Sequence, residues 1–242
     1  MPIDAVISAE LGAHALSVVT AIHVQDSAGL ESIYRISPEL IDDQARCLLE
    51  DMPVGAIKVG PAYDPETISV LAQITADYSN IPLVVHMTAQ PDISDLDELD
   101  PEETIGALLE LLIPQAAVIV TEQGLLDQWR SAGMFGDDPI AVLHELGATH
   151  VLCSNIPFGA SLNGLALYTR DGPGARWTWP QPAVRIHDSD GLLASAIAVA
   201  LAGGLSAADA IQKATHQATT MLGRHFHPGM GQRLLRHTQV QP

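Results

Sequence analysis

The segment His187-Asp188-Ser189-Asp190-Gly191 sets two carboxylates two residues apart, just ahead of an apolar, Ala-rich run. That run predicts a helix beginning near Ser189, so both acids belong to its amino end. A carboxylate there has two uses. It caps free N–H groups of the first turn, or it acts as a base when its surroundings hold its pKa up. Both readings stay open for Asp188 and Asp190. His23 and Gln25 lie two apart in a β-branched run and so share one face of a strand. A core histidine and a histidine lining a pocket are equally consistent with that position. Lys58 ends a short apolar run and is one of two lysines in the chain; at a strand end a lysine is structural as often as functional. The ten histidines include no HxxxH pair with a Cys or Glu at ligand spacing, so no metal site is expected. Cys153 has no base near it in sequence and reads as a buried thiol.

These residues need elements to hold them. Ser37-Pro38-Glu39, Asp64-Pro65-Glu66 and Asp100-Pro101-Glu102 each put a capping side chain before proline and then an acid. Asp138-Pro139 is a shorter version. Proline is preorganised for the first helical turn, and early acids suit the positive helix end, so four helix starts are expected. Between them lie short apolar runs at 16–24, 56–59, 83–86, 117–121 and 150–153. Runs apolar on both faces fit parallel strands covered by helices. The alternation predicts a three-layer α/β/α sandwich with right-handed crossovers. Residues 165–169 and 175–179, around Asp171-Gly172-Pro173-Gly174, predict an antiparallel edge hairpin on which Trp177 and Trp179 share a face. A last helix follows Ser206 and runs to about Leu222, ahead of a His-containing tail. The acid-rich stretch 92–103 reads as a loop. With no linker-like stretch, all 242 residues are expected to form one domain.

Composition narrows the classes. A chain 47% apolar and 17% charged is not disordered. Its formal net charge of −18 repels phosphate backbones, so nucleic acid is disfavoured as a partner. Such acidity also resembles the solvated surface of proteins from saline cytoplasm. No apolar run reaches membrane-spanning length, and two distant cysteines give no disulfide framework. A cytoplasmic protein without an export signal is expected.

Several strings, in register from about Ile3 to Leu222, resemble the hydroxymethylpyrimidine/phosphomethylpyrimidine kinases of the ribokinase superfamily. Leu11-Gly12-Ala13-His14-Ala15-Leu16-Ser17-Val18-Val19-Thr20-Ala21 looks like that family's LGxHGxSVxTA entry, and Gln25-Asp26-Ser27-Ala28-Gly29 like its continuation. Ala56-Ile57-Lys58-Val59-Gly60 is similar to AxKIG, 81–86 to the IPVVxDP strand, and 193–206 to its Ala-rich helix. The resemblance implies a ribokinase-like fold, ATP with Mg²⁺ as phosphoryl donor, a pyrimidine hydroxymethyl acceptor and a homo-oligomer. It puts Gln25, and with it His23, on the pyrimidine; an amide both donates and accepts, which suits a ring nitrogen beside an amino group. It puts Ser189, Thr121 and Lys58 near the nucleotide, and the turn of Asp188, Asp190 and Gly191 at the catalytic position.

The departures fall at that turn. The family has Gly-Thr-Gly followed by Cys or Asp; a gapless alignment sets Asp188 and Asp190 on the glycines and Gly191 on the catalytic residue. Shifted by one, Asp190 becomes the base, with Mg²⁺ neutralising Asp188. His86 replaces a strand-end Asp, Thr121-Glu122-Gln123 replaces Thr-Pro-Asn, and Cys153-Ser154-Asn155 lacks a lysine. The family's first strand and Gly-Ser-Asp loop have no counterpart before Pro2-Ile3-Asp4-Ala5, which would expose a sheet edge to a partner. Three readings therefore compete: a divergent kinase, an inactive homologue that binds a pyrimidine or a protein, or the structural half of a fused or hetero-oligomeric thiamine enzyme that uses the open edge.

Overall fold

The computed structural model describes residues 2–91, 99–134, 136–158, 162–179 and 186–236. Helix α1 (Pro2–Glu10) leads through an irregular stretch to a hairpin, β1 (Ala21–Gln25) and β2 (Leu30–Arg35). Then come α2 (Pro38–Asp51), β3 (Ile57–Val59), α3 (Pro65–Asp77), β4 (Leu83–His86) and α4 (Pro101–Ala107). A π-helical turn at Leu108–Leu112 prolongs α4 toward β5 (Ala116–Glu122), α5 (Gln123–Ser131), α6 (Pro139–Glu145) and β6 (His150–Phe158). The chain continues through β7 (Leu162–Thr169), β8 (Gly172–Trp179), α7 (Ser189–Ala202), α8 (Ala207–Leu222) and a small pair, β9 (His225–Phe226) with β10 (Leu234–Leu235).

The expected helix starts are present and work as the residue types require. Ser37, Asp64, Asp100 and Asp138 each accept a hydrogen bond from a first-turn N–H, with proline in that turn. Residues 92–98 of the acid-rich stretch lie outside the described residues; the rest of it enters α4 at Pro101.

Six strands form the central sheet in the order β3-β4-β5-β6-β7-β8. The first four are parallel, and β7 and β8 add antiparallel at the edge. Alternate residues feed opposite layers. Val84, Val118, Val120 and Leu152 pack under α7 and α8, with Ile7 of α1 beside them. Leu83, Val85, Ile119 and Val151 pack with Ile68, Leu112, Leu125 and Leu143 from the helices on the other face. This is the expected ribokinase-like three-layer arrangement. Helix α7 is buried nearly all round, which its uniformly apolar sequence demands. Trp179 completes the core and Trp177 packs against it. Among the described residues no helix is long and apolar enough to cross a membrane.

One strand is corrected. The run 16–24 is not a covered strand of the main sheet. Only Ala21–Gln25 is strand, and it pairs with β2 as a separate two-stranded flap. Its second apolar face meets solvent: Ile22 is 53% exposed and Val24 43%. The reason is local. Asp26 Oδ1 accepts from the N–H groups of Ala28 and Gly29, closing a turn that returns the chain onto β1 before any crossover.

Candidate active site

The parallel strands end on one edge of the sheet, where such folds take ligands. A cleft of about 2780 Å³ opens there. His23, Gln25, Lys58, His86, Glu122, Asn155 and the turn His187–Asp190 all reach its wall. The flap closes one side and the amino end of α7 the other.

At that end Asp188 is the cap residue and α7 begins at Ser189. Asp188 Oδ1 accepts from the Gly191 N–H at 3.1 Å. To do so Asp188 adopts φ 54°, left-handed for a non-glycine residue. Its carboxyl lies over Gly191, where a Cβ would displace it, so glycine at 191 leaves room for the cap.

Asp190 is held differently. Ser154 Oγ donates to Asp190 Oδ2 at 2.8 Å. The residue as a whole is half-buried, yet Oδ1 is sealed from solvent and has no hydrogen-bond partner. Burial, resisted by the Ser154 hydrogen bond and reinforced by repulsion from Glu122 and Asp188, raises this carboxyl to about 7. A group titrating there is suited to accept a proton at neutral pH.

A bulge in β6 builds the opposite wall. The register against β7 shifts between Cys153 and Ile156, and Asn155 takes φ 57°. Asn155 and Asp188 are the non-glycine residues with positive φ among those described. Both line the cleft, and such conformations gather where a site dictates geometry. The bulge turns Ser154 to Asp190 and Asn155 to Glu122, whose Oε2 accepts from Asn155 Nδ2 at 3.1 Å.

Lys58 is committed to its neighbours. Its ammonium pairs with Asp4 of α1 and reaches the Gly191 carbonyl at 3.4 Å. Ser195 Oγ lies 2.6 Å from Asp4 Oδ1 and 2.8 Å from the Gly191 carbonyl, and its one proton serves either acceptor. Burial pushes the Asp4 carboxyl up, but Lys58 and Ser195 outweigh it and bring it to about 2. Lys58 thus ties α1 and β3 to the turn that carries the acids. His86, at the end of β4, is driven down to about 4 by burial, against the pull of Asp188. It is therefore neutral at physiological pH.

On the flap, His23 is hydrogen-bonded to Gln25 and lies 3.0 Å from the Tyr63 hydroxyl. Burial lowers its pKa. Thr121 is fully buried on β5 with its hydroxyl unpartnered, one residue before Glu122. The structure therefore groups Asp188, Ser189, Asp190, His23, Gln25 and Lys58 around one cleft and leaves Thr121 in the sheet beneath it. Cys153 is buried, and burial raises its thiol to about 12, an inert setting. In the sequence, Glu122, Ser154 and Asn155 stand out only as departures from the family strings and carry no role, and Tyr63 does not stand out at all. The only signal for the bulge was Asn155 itself, a residue tolerant of positive φ.

A mostly parallel sheet between two helical layers, with an acid-bearing helix end and a two-stranded flap over the strand ends, defines a ribokinase-like α/β/α protein. The family model described as phosphomethylpyrimidine kinase matches residues 4–236, and the chain belongs to that family. Hydroxymethylpyrimidine/phosphomethylpyrimidine kinase of Escherichia coli is 26% identical over 223 residues, covering 84% of this chain and 78% of that one. The solved phosphomethylpyrimidine kinase of Clostridium difficile superposes with a TM-score of 0.69 at 22% identity, over 91% of each chain. Bacillus subtilis pyridoxal kinase, solved as an ADP complex, gives 0.80 at 19% identity, covering 97% of this chain and 90% of that one. Other relatives are longer: this chain spans 27%, 41% and 44% of three of them.

Proposed function

We propose that the chain transfers a phosphoryl group from ATP to the hydroxymethyl group of a hydroxymethylpyrimidine or its phosphate, with Asp190 as base. The observation that carries this is the Asp190 carboxyl: one oxygen fixed by Ser154, the other free of any partner, and a pKa near neutrality on the wall of the cleft. A structural cap would be fully satisfied and would titrate in the ordinary carboxylate range. Asp190 keeps one oxygen unpartnered and titrates at about 7, and the capping is done by Asp188.

Gln25 and His23 face the pyrimidine from the flap in this reading. The donors present for a metal are hard oxygens, Asp188 and Glu122, which suit Mg²⁺. Among the described residues no three His, Cys, Asp or Glu side chains are arranged to hold a metal alone. Mg²⁺ characteristically takes one or two carboxylates and fills its other positions with water and phosphate oxygens, so Asp188 or Glu122 would hold it together with the nucleotide. The ion supplies charge neutralisation to the phosphates when bound. That matters here because Lys58 is already paired with Asp4, leaving the acids uncompensated. Ser154 orients the base, His86 stays neutral on the cleft wall, and Lys58 fixes the turn through the Gly191 carbonyl.

The test is a steady-state phosphorylation assay with MgATP and hydroxymethylpyrimidine phosphate, run beside Asp190→Asn. Turnover that collapses in the variant supports the proposal. A wild type that neither turns over nor binds ATP by calorimetry defeats it and leaves pyrimidine binding without catalysis.

A further inference from the structure

The segment after α8 makes a strap across the cleft mouth. It is anchored in the core: Leu235 is 4% exposed and packs with α7 and α8. Its own pairing closes it, with Leu234 opposite Phe226 and the Arg236 N–H donating to the Arg224 carbonyl at 2.8 Å. Between these strands the chain loops out and touches both walls of the cleft within three residues.

On the flap side, the Gln232 N–H donates to the Ser27 carbonyl at 2.6 Å, and the Gly231 N–H donates to Ser27 Oγ at 3.3 Å. A Cβ on Gly231 would overlap the Ser27 backbone, so only glycine permits this approach. On the other side, the His187 N–H donates to the Arg233 carbonyl at 2.9 Å. His187 Nδ1 lies 3.3 Å from Gln232 Oε1, and Ile186 bridges to Arg233. Ser27 is two residues beyond Gln25, and His187 immediately precedes Asp188. The β1–β2 turn is itself rigid, cross-braced by Asp26. A displacement at Ser27 is therefore passed to Gln25 rather than absorbed.

We propose that Gly231 and Gln232 are positioning residues that fix the distance between the pyrimidine-facing edge of the flap and the acid turn of α7. This rests on the functional reading given above. The spacing matters because phosphoryl transfer depends on an in-line approach, and a misplacement of about 1 Å costs on the order of a hundredfold in rate. Apart from the strap, the flap is held at its base, where the Ile36 N–H meets the Thr20 carbonyl and Gln44 bonds Val19. Along β2 and β1 it is held by the buried Ile33, the Arg35–Asp64 ion pair and the Tyr63–His23 contact, and none of these reaches the β1–β2 turn.

The experiment combines amide hydrogen exchange with calorimetric titration of hydroxymethylpyrimidine, in the absence of nucleotide, on the wild type, Gly231→Ala and Gln232→Ala. Gln232→Ala removes a side chain without crowding anything and guards against loss of folding in Gly231→Ala. Gly231→Ala is expected to speed exchange across residues 21–35 and weaken pyrimidine binding about tenfold or more. Gln232→Ala is expected to speed exchange at 186–190, with a smaller loss of binding. Unchanged exchange in both variants overturns the proposal. Faster exchange with undiminished pyrimidine binding also overturns it, reducing the strap to a clasp. Failure of the wild type to bind pyrimidine defeats the functional reading instead; the strap's coupling of the two walls then stands or falls on the exchange data.

Discussion

The carboxylate of Asp188 folds back onto the amide of Gly191, 3.1 Å away, and so occupies the end of α7 with the chain's own negative charge. A free helix end attracts phosphate; this one does not until Asp188 is neutralised. Asparagine keeps the cap and removes the charge. Asp188→Asn is expected to leave folding intact and to raise the Mg²⁺ concentration for half-maximal turnover about tenfold, losing one carboxylate ligand. Titration of activity with Mg²⁺ at fixed ATP checks this, and an unchanged Mg²⁺ dependence would remove Asp188 from the metal's surroundings.

For Asp190→Asn, turnover is expected to fall by about 10²–10⁴ while the KM for the pyrimidine changes little, because a general base acts in the transition state. The wild-type rate should rise with pH through about 7, following the Asp190 carboxyl. A profile flat from pH 5 to 9 would exclude Asp190 as base.

Stability should show two opposed pH dependences. Asp190 titrates at about 7 in the fold against 3.8 in a free chain, so between those values the unfolded state has released a proton that the fold retains. Its contribution therefore lowers stability as pH rises across that window. His86 titrates at about 4 against 6.5, so the unfolded state binds the extra proton and stability rises with pH over 4 to 6.5. The wild type is thus expected to melt with a weak pH dependence over this range, and Asp190→Asn with a rising one. Melting curves at pH 4.5, 5.5, 6.5 and 8 test the difference; parallel curves would refute the buried state of Asp190.

Lys58→Met removes the ammonium that pairs with Asp4. Removing one partner of a partly buried pair costs about 1–3 kcal/mol, and the double variant Asp4→Asn, Lys58→Met should recover part of it. Urea denaturation of the three variants measures the coupling. Strictly additive losses would show that the pair contributes no interaction of its own.

How far the sequence discloses this arrangement depends on the range of the signal. Ser37, Asp64, Asp100 and Asp138 advertise their helices because cap, proline and acid act within one turn. The covered strands show in their β-branched runs because both faces are buried. The flap was misplaced because Ile22 and Val24 look like core residues, and their exposure is decided by the turn at Asp26. Asp190 was legible as a candidate, but its distinction from Asp188 was not. That distinction rests on Ser154 and Glu122, brought in by strands 36 and 68 residues earlier, and periodicity carries no information over such spans. Lys58 misled for the same reason: its partner Asp4 lies 54 residues away.

The bond from Ser195 to Asp4 joins residues 191 positions apart. Helix α1 is made well before α7, yet its resting place against α7 does not exist until the intervening chain has followed. At roughly 5–20 residues per second that is a wait of about 10–40 s. During synthesis Asp4 and Lys58 can find each other, but the apolar side of α1 around Ile7 has nothing to cover it. The acid turn is therefore assembled late: α7 must meet α1, and the strap that bonds His187 through the Arg233 carbonyl follows later still. A nascent chain halted before residue 189 would hold its flap and parallel strands without the helix that carries Asp190.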